Sequence, residues 1–73
     1  MNLDQIAKAY TQCVELEERA REESSPLADD LSDLRSDLHA LLMQALRAEK
    51  IPFLDRADAA RIAFQRVHPS AAR

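Results

Sequence analysis

The chain has 73 residues, 13 acidic and 10 basic side chains, a net charge of -3, one cysteine and no glycine. That length allows one domain at most, near the lower limit at which a single apolar core outweighs conformational entropy. Cys13 alone excludes an intrachain disulfide, and with His39 and His68 at unhelpful spacings it cannot assemble a structural zinc site. Of the usual aids to a small core, oligomerisation is what remains.

Without glycine there is no phosphate-cradling loop and no easy residue for left-handed turns. Ala, Leu, Arg, Glu and Asp dominate while β-branched and aromatic residues are few, so the fold class read from composition is all-α. Met1 to Tyr10 has neither a cationic nor a long apolar segment, and no uninterrupted apolar run could span a bilayer. With an unpaired Cys, this points to a cytoplasmic protein with no membrane partner.

Asn2 and Gln5 form a capping-box pattern that starts helix 1, expected over about residues 3–23. Leu3, Ile6, Ala7, Tyr10, Cys13 and Val14 make its apolar stripe. Past that point Glu17 and Arg21 fall where the stripe should continue, and Glu22 and Glu23 oppose the helix dipole, so the last turn is expected to fray. Ser25 as N-cap and Pro26 at the first helical position open helix 2, expected over about residues 26–50. In it Leu27, Leu31, Leu34, Leu38, Leu41, Ala45 and Ala48 recur at alternating spacings of four and three, the apolar seam of a helix that packs on helices, as in a coiled coil. Pro52 ends it. Asp55 and Asp58 then cap helix 3, expected over about residues 56–67 and stopped before Pro69. Residues 1–69 read as a single helical domain, and residues 70–73 as a disordered tail.

The short connection makes helices 1 and 2 an antiparallel hairpin. Residues equidistant from the turn then face each other: Tyr10 with Leu41, Ile6 with Ala45, Leu3 with Ala48, Cys13 with Leu38. Nearer the turn, Leu34 meets Glu17, while Leu27 and Leu31 meet Arg21 and Ala20. These three leucines lack apolar partners in their own chain, and each would contribute about 1.5–3 kcal/mol if fully buried. Leu42, Met43 and Leu46 widen the apolar arc at the other end and should receive Phe53, Leu54, Ile62 and Phe64. The expected architecture is an antiparallel helical hairpin plus a short third helix, dimerising through Leu27, Leu31 and Leu34 into a bundle.

The chain offers little chemistry. Cys13 lies on the core stripe and reads as a small buried hydrophobe. His39 and His68 read as structural or surface residues, and the run Asp29, Asp30, Asp33, Asp37 lacks the glycine and ligand spacing of a calcium loop. No catalytic, cofactor or metal site is expected. Charge is uneven: residues 1–46 carry ten acids and four bases, while residues 47–73 carry three acids and six bases.

Residues 15–33 hold eight acids against two bases, an acidic tip that would steer toward a basic protein surface. The functional reading is a non-enzymatic protein-binding module, an adaptor or inhibitor. Its interface would comprise Leu27, Leu31, Leu34, Glu17 and Asp30, and its partners would be a second copy and a larger protein with a basic or apolar groove. The alternative is a dimeric nucleic-acid-binding regulator, with Arg56, Arg61 and Arg66 of helix 3 on phosphates. That signal is weak, since a five-residue spacing spreads the arginines around the helix.

Overall fold

A computed structural model describes residues 1–69; the tail expected over 70–73 lies outside the described residues. The chain is all-helical there, with α1 over Leu3–Glu22, α2 over Leu27–Ala48 and α3 over Arg56–Val67. The local signals act as their chemistry dictates. Asn2 Oδ1 accepts from the Gln5 backbone N–H at 2.9 Å, and Gln5 Oε1 accepts from the Asn2 N–H at 3.0 Å, closing the capping box. Pro26 has helical dihedrals, and Ser25 Oγ accepts from the Leu27 N–H at 3.2 Å, which satisfies one orphan donor. Asp55 accepts from the Asp58 N–H at 2.8 Å, and Asp58 Oδ2 accepts from the Leu54 N–H at 2.9 Å.

The last turn of α1 is closed rather than frayed. The Ser24 N–H donates to the Arg21 carbonyl at 3.1 Å and the Ser25 N–H to the Ala20 carbonyl at 2.8 Å, the paired bonds of a Schellman motif. α2 ends identically, with Lys50 N–H to Arg47 at 3.0 Å and Ile51 N–H to Leu46 at 2.9 Å. Such an ending needs a left-handed residue. In a chain without glycine, Ser24 (φ 55°) and Lys50 (φ 59°) supply it, each at a cost of about 1–2 kcal/mol.

α1 and α2 form the hairpin, and α3 folds back on one face of its open end. The core there combines Leu3, Ile6, Ala7 and Tyr10 of α1, Leu42 and Leu46 of α2, and Ala59 and Ala63 of α3. The two small alanines, both fully buried, let α3 approach the large leucines closely. Phe64 meets the Tyr10 ring edge-on at 6.3 Å, while Ile51, Phe53 and Ile62 close the margin. Leu54 does not join them. It is 93% exposed, because its backbone is tied to the α3 cap and its side chain is directed outward.

The larger correction concerns the rotation of α2. Its buried residues are Ala28, His39, Leu42 and Leu46, which with the half-buried Arg35 form a seam displaced by one residue from the leucine seam. Leu41 is 40% exposed, and the groups facing Tyr10 are His39 and Phe64. The physical reason is the third helix: α2 must cover both α1 and α3, so the middle of its buried arc lies at His39, Leu42 and Leu46. The leucine seam is left at one margin.

Candidate functional site

Toward its tip the hairpin interior turns polar. Glu17 is buried between the helices, its Oε1 accepting from Arg35 Nε and its Oε2 from Arg21 Nε at 3.0 Å. The Arg35 hydrogen bond, with Arg21 adding to it, holds the Glu17 carboxyl below its ordinary range despite opposing burial. Sequence spacing shows the Arg21 partner four residues on, but Arg35 comes from the other helix and carries no local signal. Glu17 was expected to face a partner; here its carboxylate is occupied within the chain.

A second polar contact ties three helices together. His39 Nε2 donates to the Arg56 carbonyl at the start of α3 at 2.8 Å, and Nδ1 lies 3.5 Å from the Tyr10 hydroxyl. An Nε2–H tautomer satisfies both, with the tyrosine donating. Burial pushes the imidazole below its usual pKa, and the nearby Arg56 and Arg35 charges act in the same direction, against the favourable Arg56 carbonyl bond. Cys13 is buried with its Sγ donating to the Leu31 carbonyl at 3.4 Å. Burial and the neighbouring Glu17 push its thiol up, away from nucleophilic use. Among the described residues no buried side-chain nitrogen or oxygen lacks a hydrogen-bond partner. Among the described residues no group of His, Cys, Asp and Glu is arranged to hold a metal, and no helix is long and apolar enough to cross a membrane.

The arginines of α3 are dispersed. Arg61 is held by Asp58 at 2.6 Å and Gln65 at 3.0 Å. Arg66 reaches across to Asp4 of α1 at 2.6 Å. Arg56 lends its carbonyl to His39 and exposes its side chain. At five-residue intervals the three side chains leave α3 in different directions.

What the fold does leave open is the hairpin face opposite α3. Leu27 is 60%, Leu34 49% and Leu41 40% exposed on α2, and Leu16 is 49% exposed on α1. Leu31 and Leu38 are half-buried among them. Near the turn, Leu16, Arg19, Ala20, Glu23, Ser25, Leu27 and Leu31 line a shallow groove of about 160 Å³. Thus Leu27, Leu31 and Leu34 share one surface, with Asp30 exposed at its edge. Leu16 belongs to the same surface, though it lies off the apolar stripe of helix 1. Comparison with protein-family models, with curated proteins and with solved structures finds no match for the chain, so the face and its chemistry carry the functional reading.

Proposed function

We propose that the chain is a small non-enzymatic protein-binding module, an adaptor or inhibitor, whose working surface is the α1/α2 face opposite α3. The observation that carries this reading is the row of leucines left 40–60% exposed on that face. A contiguous apolar surface on a small chain is a binding site or an aggregation hazard. Self-pairing into a homodimer and docking of a different protein both cover it. The alternative of a nucleic-acid-binding regulator has less support, because Arg61 and Arg66 already pair with Asp58 and Asp4 and the hairpin tip is acidic.

Leu34→Asp tests the reading, because Leu34 is exposed and its loss should leave the helices intact. Sedimentation of wild type and variant over a wide concentration range reports self-association. Capture from nuclease-treated host lysate by the two proteins reports a foreign partner. A partner or dimer lost in Leu34→Asp supports the proposal. Equal behaviour of the two proteins in both assays, or capture only of material that vanishes with nuclease, overturns it.

A further inference from the structure

The uncovered leucine face has a charged border that selects among occupants. Leu34, Leu38 and Leu41 lie roughly 40–100° around α2 from Leu42, on the side away from His39. The next residues outward are Asp30 and Asp37. Asp30 falls between Leu27 and Leu34, and Asp37 between Leu34 and Leu41, each at helical i+3 and i+4 spacing. Both carboxylates are exposed, as is Glu23 beside the groove near the turn. Arg19 is the one base lining that groove.

This border disfavours a second copy. Pairing α2 with an antiparallel α2 about Leu34 would match leucine with leucine, but it would also set Asp30 along the same edge as Asp37 of the other molecule. Pairing α2 with α1 instead would relieve that repulsion, yet α1 offers Leu16 as its one leucine on this face. Either arrangement gives up something that a different partner need not.

We propose that the α1/α2 face receives an amphipathic helix of another protein whose apolar seam is bordered by Lys or Arg. This rests on the reading of the face as a protein-binding surface and adds the chemistry of what binds there. Leu27, Leu31, Leu34 and Leu16 take the seam, as helix-in-groove recognition requires. Asp30, Asp37 and Glu23 meet the basic borders, which raises the association rate and rejects acidic helices.

The test uses the full chain and three synthetic peptides: an 18-residue helix with a leucine seam bordered by Lys, the same helix bordered by Glu, and a scrambled Lys version with no seam. Amide and methyl chemical shifts locate each peptide, and titration gives its affinity. The expected result is that the Lys peptide shifts Leu16, Leu27, Leu31, Leu34 and Leu38 and binds at least about tenfold tighter than the Glu peptide. That preference should shrink several-fold in the double variant D30N/D37N, whose exposed sites do not enter the core. Equal binding of Lys and Glu peptides at this face overturns the charge selection while leaving a protein-binding surface. Self-association through Leu34 that excludes the Lys peptide assigns the face to a second copy and also overturns the proposal. Equal binding of scrambled and seamed peptides, or shifts confined to other faces, removes both the proposal and the reading beneath it.

Discussion

Leu41 and Leu42 are neighbours in sequence with the same side chain, yet one is 40% exposed and the other fully buried. Truncating each to Ala therefore isolates the rotation of α2. Leu42 is enclosed by the α1 and α3 core residues, so Leu42→Ala removes three buried carbons and leaves a cavity, at an expected cost of about 3–5 kcal/mol. Leu41→Ala removes carbons that are already partly in water and leaves no closed void, for about 1 kcal/mol. A chain of this length has roughly 4–11 kcal/mol to lose. The Leu42 variant should melt about 12–40 °C below wild type and the Leu41 variant about 4–8 °C below. Thermal and urea unfolding followed by circular dichroism gives both values, at low micromolar protein so that any assembly through the leucine face does not contribute. Equal losses, or a larger loss at Leu41, would refute the described rotation and restore the leucine seam as the inner face.

Three further perturbations address the polar interior and the turns. Because burial depresses the His39 pKa from its ordinary 6.5, the unfolded chain takes up this proton first as pH falls, so stability should be flat above about 6.5 and decline below it. His39→Gln, which can keep an N–H donor toward the Arg56 carbonyl, should remove that decline in urea titrations run as a function of pH. Glu17, held below its ordinary 4.5 by Arg35 and Arg21, should add a second loss as pH falls past 4.5. Glu17→Gln should abolish that loss and lower stability at neutral pH. Lys50→Gly relieves a left-handed residue with φ 59° and should raise stability by about 0.5–1 kcal/mol after the added chain entropy of glycine is subtracted; no gain would mean the αL position is not strained.

The parts of this fold that were legible in the sequence are those set within a few residues. Asn2 with Gln5, Ser25 with Pro26, Asp55 with Asp58, and the stop at Pro52 each fix a helix end through a contact at short separation. The rotation of α2 was not legible, because its sequence carries two apolar seams one residue apart. The leucine-rich seam is the stronger pattern by residue type. The seam that is buried contains Arg35 and His39, which read as polar interruptions until their partners are known. Those partners are Glu17, Tyr10 and the Arg56 carbonyl, 17 to 29 residues away, and no periodicity within α2 reveals them. The candidate face was legible in part. Leu27, Leu31, Leu34 and Asp30 share one surface as expected from their spacing, while Glu17 is spent inside the hairpin and Leu16 was not singled out.

The polar contacts also explain how a chain with two usable seams selects one. Apolar burial is non-directional and would reward either rotation of α2. Turning α2 by one residue to bury the leucines would carry Arg35 away from Glu17 and His39 away from Tyr10 and the α3 cap. Glu17 would keep only Arg21 of its own helix, and a buried carboxylate that loses one of its charged partners costs stability. The same contacts that fix the rotation therefore hold the leucine face outward. On this view, the exposed leucines follow from the way the interior is specified. The interior uses directional polar contacts near the tip, apolar packing near the open end, and α3 to cover one side only.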